Sequence, residues 1–138
     1  MSREANGFNH IITQFLNADT FAVAGASARP HKYGFKVFDA LINSGRRVFP
    51  INPTSDLIAG HQAYASISEL PTVPQSISIV TPPAVTRQIV TDAMDAGVQN
   101  LWMQPGAEDA ESSRRARGAG LNVIDDGSCI LVQLVLDP

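Results

Sequence analysis

Apolar residues recur along this chain in helical and strand-like patterns that trade places several times. Phe8, Ile11, Ile12, Phe15 and Leu16 stand at i, i+3, i+4, i+7 and i+8, which predicts an amphipathic helix over about residues 6–17. "FAVAG" follows as a short apolar run that reads as a buried strand. Phe35, Phe38, Leu41 and Ile42 then share one side of a helix that Gly45 would end. "RVFPIN" is a second strand, in which Pro50 has no N–H for a ladder and so predicts an edge position or a bulge. After an irregular stretch, "SISIV" gives a third strand. Ala84 to Gly97 gives a helix with Val85, Ile89, Ala93 and Met94 aligned and Pro83 in its first turn. "NLWMQ" is a fourth strand. Glu108 to Ala119 is acidic at its start and basic at its end, as the helix dipole favours, with Gly120 to close it. "LNVID" is a fifth strand, and "ILVQLVL" fits a strand or a helix equally well.

Strands alternating with helices of this length predict an α/β fold: a Rossmann-like, doubly wound parallel sheet covered on both faces. The 138 residues, 44% hydrophobic and 17% charged, suit a single three-layer domain over 1–138, and no linker or charge block divides them. A net charge of -3 gives no general basic field, which argues against a nucleic-acid or membrane-surface binder. Any anion site must be local. The single cysteine, Cys129, cannot close an internal disulfide, and "MSREANGFNH" lacks the parts of a secretory signal, so the expected setting is cytoplasmic. The longest apolar run is far shorter than the roughly 20 residues that span a bilayer.

In open parallel sheets, ligands sit beyond the carboxyl ends of the strands, where four loops gather here: "GASARPHKYG", "NPTSD", "TPP" and "QPGAED". The first offers Gly25, Ala26 and Ser27, a small and polar turn whose amides, with the start of the next helix, favour an anion such as a phosphate. Arg29, His31 and Lys32 add positive charge, and Gly34 admits close approach. The ligand is not read as NAD: Ser27 stands at the second glycine position, and the second strand ends in Asn52-Pro53 with no carboxylate for the ribose. NADP would want an arginine where the chain has Thr54 and Ser55, and no Gly-Lys pair supplies a nucleotide-hydrolysing phosphate loop.

These residues, in order, resemble the CoA-binding domain at the start of the succinyl-CoA synthetase α subunit and its small stand-alone relatives. The likeness runs from about Phe21 to Cys129 through "VAGAS", "YGF", "GRRVFPINP", "GHQAYASISELP", "SISIVTPP", "AGVQNLWMQPG", "ARGAGLNVIDD" and "SC". It implies coenzyme A, or an acyl-CoA, bound with its phosphates against the first glycine loop. Gly25, Ser27 and Tyr33 would lie along the diphosphate, Asn52 and Pro53, with Thr54 beside them, at the adenosine end, and Thr81, Pro82 and Pro83 as a wall. Gln104 and Gly106 would face the same cleft. The chain departs from the family in two places. "TPP" replaces the Phe-Arg pair of many stand-alone relatives, and Thr54-Ser55 stands where the synthetase has a lysine. Arg29, Lys32 and Arg46 remain as cations for the cofactor's additional phosphate.

No catalytic constellation emerges. The synthetase's phosphorylated histidine belongs to a different domain, and His10, His31 and His61 lack metal-ligand spacing. Asp125 and Asp126 read as solvated or capping residues, and Trp102 as sheet packing. Cys129 reads as a buried thiol, with reaction at a bound cofactor's sulfur as the sharper alternative. The expectation is thus a non-catalytic CoA-binding module, with an NAD(P)-dependent oxidoreductase or redox sensor as the alternative. A protein partner or a homo-oligomer stays open.

Overall fold

The computed structural model describes residues 3–136. Met1, Ser2, Asp137 and Pro138 lie outside the described residues, as do the side chains before His10, including that of Phe8 in the first predicted helix. Along the chain come α1 (Arg3–Leu16), β1 (Thr20–Ala24), α2 (Tyr33–Asn43), β2 (Arg47–Ile51), β3 (Leu57–Ile58), β4 (His61–Gln62), a 3₁₀ turn (Ile67–Glu69), β5 (Ser76–Ile79), α3 (Pro83–Ala96), β6 (Asn100–Met103), α4 (Ala110–Gly118), β7 (Asn122–Ile124) and α5 (Ile130–Leu136). Five strands form one parallel sheet in the order β2-β1-β5-β6-β7. The Rossmann-like α/β fold expected from the alternation is the fold observed.

Two apolar layers sandwich the sheet. Ile12, Phe15, Val37, Phe38, Leu41, Ile130 and Leu134, from α1, α2 and α5, pack on the face that carries Phe21, Val23, Trp102 and Ile124. Val90, Ala93 and Ala116, from α3 and α4, cover the face of Ala22, Ile77, Ile79, Leu101 and Met103. The terminal run is a helix packed on α2: Ile130 and Leu134 are buried while Val132, which strand alternation would place on the same face, is 54% exposed. Trp102 is fully buried, edge-on to Phe15 at 5.2 Å, and its indole N–H donates to the Ser128 carbonyl at 3.0 Å. It is sheet packing.

One expected core stripe is displaced. On α3 the fully buried residues are Thr86, Val90 and Ala93, whereas Val85 is 46% exposed. Thr86 can be buried because its hydroxyl donates to the Ala107 carbonyl at 2.8 Å, which turns the helix and leaves Val85 and Ile89 facing a cleft. Pro50 does lie on an edge strand. Its carbonyl accepts from the Tyr64 N–H at 3.0 Å on the outer side, so the missing donor interrupts no bond to β1.

At the start of α4, Asp109 accepts from the Ser112 N–H and hydroxyl and pairs with both Arg87 Nε and Nη2 at 3.1 Å. The Arg87 guanidinium, and then Ser112, hold its carboxyl well below the usual carboxylate range. A depressed carboxyl stabilises the fold above its unfolded value, about 3.9, and that contribution fades as pH falls through the folded value. Asp109→Asn should therefore lower the urea midpoint at pH 7, with the gap to wild type beginning to narrow below about pH 4 and closing only as pH nears the depressed folded value. A gap independent of pH would show that the charge adds nothing.

Candidate functional site

The chain runs from β1 to β2 on one side and then crosses to β5 on the other, so the loops after β1 and β5 part at the carboxyl edge of the sheet. A cleft of about 610 Å³ opens there. Its floor and walls include Gly25, Ala26, Ser27, Lys32, Tyr33 and Gly34 from the first loop and the start of α2, Asn52, Pro53 and Thr54 after β2, and Thr81 after β5. Ten of the fifteen residues picked out from the sequence thus meet in one place. The volume falls within the range of about 300–1,000 Å³ typical of small-molecule and cofactor sites.

The two glycines of this loop are explained by the protein itself. Gly25 has φ of +88°, and a Cβ on it would strike the Val80 carbonyl and the Thr81 side chain; a Cβ on Gly34 would strike the Gly25 carbonyl. The loop after β1 is thereby pressed against both the strand end beside it and the start of α2. Lys32 precedes that helix without a side-chain cap, and Lys32, Tyr33 and Gly34 line the cleft, which sets the positive end of the helix dipole beside it. Ser27 Oγ is turned inward along the loop, accepting from the Arg29 N–H at 3.1 Å.

Asn52 acts as a bracket between the two loops. Its Nδ2 donates to the Ala26 carbonyl at 2.8 Å, and its Oδ1 accepts from the Thr54 N–H and hydroxyl at 2.8 and 2.9 Å. Arg29 stands beside the cleft, in a polar pocket that shares Ser27, Lys32, Asn52 and Thr54 with it. Pro82, Pro83, Gln104 and Gly106 do not line the cleft. Pro82 and Pro83 start α3, and Gly106 sits in a turn with φ of +94°, its N–H donating to Glu108 Oε1.

Gln104 is wholly buried one layer behind the cleft wall. Its Oε1 accepts from the Tyr33 hydroxyl at 3.2 Å and the Ile130 N–H at 2.9 Å, and its Nε2 donates to Ser78 Oγ at 3.1 Å. Tyr33 also lies 2.7 Å from Cys129 Sγ. Burial first, and then this sulfur, push the Tyr33 phenol above the usual tyrosine range, which keeps it protonated. The phenol and the thiol share this contact, in which either can donate. Cys129 thus reaches the cleft through Tyr33. His31 is exposed on the loop, and none of His10, His31 and His61 lines the cleft. Asp125 pairs with Arg117 at 2.7 Å, and Asp126 accepts from the Ser128 N–H.

Sequence reading missed the opposite wall. Val85, Gln88, Ile89 and Asp92 of α3 complete the cleft with Ala65 and Ser66. Val85, Ile89 and Asp92 are one helix face at i, i+4 and i+7, and the polar residue ending an otherwise apolar stripe was the available signal. Lys32 and Asp92 give the cleft a cationic and an anionic side.

The sequence model of a family described as "CoA binding domain" matches residues 19–134. The chain is 32% identical, over 92 residues, to the α subunit of acetate–CoA ligase (ADP-forming) II from Pyrococcus furiosus, covering 66% of this chain and 20% of that subunit. It therefore spans about one fifth of the length of that relative. To YneT of Bacillus subtilis it is 26% identical over 111 residues, 80% of this chain and 82% of the other. A solved structure of a conserved hypothetical protein from Pyrococcus furiosus superposes with a TM-score of 0.77 at 40% identity, covering 83% of this chain and 97% of that one.

Proposed function

The chain belongs to the CoA-binding domain family, and we propose that it binds coenzyme A or an acyl-CoA without catalysing a reaction on it. The diphosphate would rest on the loop from Gly25 to Gly34, against the uncapped start of α2. The observation that carries this reading is the cleft itself, where that helix start meets an apolar wall of Ile51, Val80, Val85 and Ile89. Phosphates suit the first part and the neutral, flexible arm of the cofactor suits the second. The likeness to the Pyrococcus acetate–CoA ligase subunit is consistent with this ligand.

A non-catalytic role is supported by what lines the cleft. The Tyr33 phenol is held protonated, and Lys32 and Asp92 stand on different walls. NAD is disfavoured on geometry as well as sequence, because Asn52 supplies no carboxylate and its carbonyl oxygen is committed to Thr54.

Calorimetry with CoA, acetyl-CoA, succinyl-CoA, NAD and NADP tests the proposal. CoA or an acyl-CoA should bind and both dinucleotides should not, and a ligand at 100 times its dissociation constant should add about 2.7 kcal/mol to stability. Ser27→Leu should place a bulky side chain over the loop amides and weaken CoA at least about tenfold, or 1.4 kcal/mol, with the fold intact. Binding of NAD but not CoA would overturn the assignment, and an unchanged CoA affinity in Ser27→Leu would move the diphosphate elsewhere.

A further inference from the structure

We propose that Asp92 sets which acyl groups the cleft accepts, so that the chain takes CoA or a thioester with an uncharged acyl group and rejects dicarboxylic ones such as succinyl-CoA. This rests on the CoA reading above and adds the class of thioester that the site admits. Gly25 is packed against Val80 and Thr81 just before α3 begins, so the diphosphate loop adjoins the first turn of that helix. From there the cofactor's arm would run along Val85 and Ile89, and Asp92 is the next cleft residue on their face of α3. The rise from Val85 to Asp92 is about 10 Å, which sets the carboxylate at the end of the apolar wall away from the phosphates.

The charge at that end is uncompensated. Asp92 is half-buried and belongs to no ion pair among the described residues. Gln88 Nε2 donates to its Oδ1 at 2.9 Å, but a neutral amide leaves the negative charge in place. The arginines of α3 and α4 closest to it in the fold are engaged elsewhere: Arg87 pairs with Asp109, and Arg115 Nη2 donates to the Thr91 hydroxyl at 3.1 Å, and neither lines the cleft. Past Asp92 a smaller pocket of about 320 Å³ continues along the helix, lined by Ile67, Ser68, Asp92, Asp95 and Ala96, with a second carboxylate and no cation. A hydrocarbon acyl chain can lie against Ile67 and Ala96 there. A terminal carboxylate would instead face Asp92 and Asp95 without a counter-ion, and like charges repel. The cleft is thus polarised along its length, with Lys32 where the ligand carries its phosphates and Asp92 where the acyl group must bring no negative charge.

The test is calorimetry of butyryl-CoA against succinyl-CoA, two four-carbon thioesters of which one ends in a methyl group and the other in a carboxylate. It is run on the wild-type chain, Asp92→Asn and Asp92→Lys, with circular dichroism to confirm folding and CoA itself as the reference ligand. Wild type should prefer butyryl-CoA by about tenfold or more, and the preference should weaken with added salt. Asp92→Asn keeps an acceptor for Gln88 and removes only the charge, so it should bring the two thioesters within about threefold of each other. Asp92→Lys should reverse the order. A merely structural role for Asp92 would change both affinities together and leave their ratio alone. Equal affinity or a preference for succinyl-CoA in the wild type, or a preference for butyryl-CoA that survives both substitutions, overturns the role of Asp92 but leaves the CoA reading standing. Failure of CoA and both thioesters to bind overturns the two together.

Discussion

Gly34→Ala is expected to destabilise the protein by about 3 kcal/mol or more, although glycine to alanine within a helix ordinarily gains close to 1 kcal/mol. Gly34 is the second residue of α2, and a Cβ there would run into the Gly25 carbonyl, backbone against side chain with no rotamer to relieve it. Gly25→Ala meets the same problem in the other direction, at the Val80 carbonyl, and adds a positive φ that costs an L-residue roughly 1–2 kcal/mol. Either substitution must part the first loop from β5 or from α2, so CoA affinity should fall with stability. Urea unfolding at constant m-value measures the first effect. A midpoint for Gly34→Ala at or above wild type would mean that the loop has room to move and that its close packing does not shape the cleft.

Most of the fold was legible because the sheet is buried on both faces. Strands such as "FAVAG" and "NLWMQ" have no solvent side to blur, and their helices carry clear apolar stripes. The hairpin of β3 and β4 was not legible, since its turn is Ala59-Gly60 rather than the Asn-Gly or Asp-Gly that signals such a turn. Ala59 adopts φ of +49°, a conformation its residue type does not announce. The terminal helix was ambiguous for a different reason: Val132, Val135 and Leu136 are exposed, so apolar residues occupy both of its faces and no period stands out.

The site divides along similar lines. Residues on the first loop were found because glycines, a serine and cations between a strand and a helix have few other uses. The α3 wall was hidden by an apolar stripe that looked like core, and whether Val85 meets a sheet or a cleft depends on how Thr86 is buried. Gln104 shows a third kind of limit. Its position after β6 pointed to the cleft, yet a glutamine can satisfy itself internally, and here three partners from β5, α2 and α5 hold it below the surface.

That arrangement makes Gln104 the side chain whose loss should be felt most widely. Gln104→Leu keeps the volume but leaves the Ser78 hydroxyl and the Ile130 N–H without their partner, and Tyr33 with only Cys129. At about 1–3 kcal/mol for each buried group left unpaired, the expected loss is about 3 kcal/mol or more. Gln104→Glu separates hydrogen bonding from shape. When protonated, its carbonyl oxygen can accept from Tyr33 and Ile130 while its hydroxyl donates to Ser78, so the variant should be near wild type at pH 4. Burial raises such a carboxyl above its ordinary value, so stability is fully present below the unfolded value of about 4.3 and is lost as pH rises. By pH 8, Gln104→Glu should approach the leucine variant. Because Tyr33 forms part of the cleft wall, both variants should also weaken CoA at neutral pH. A glutamate variant with no pH dependence, beside a leucine variant as stable as wild type, would show that this buried network positions nothing.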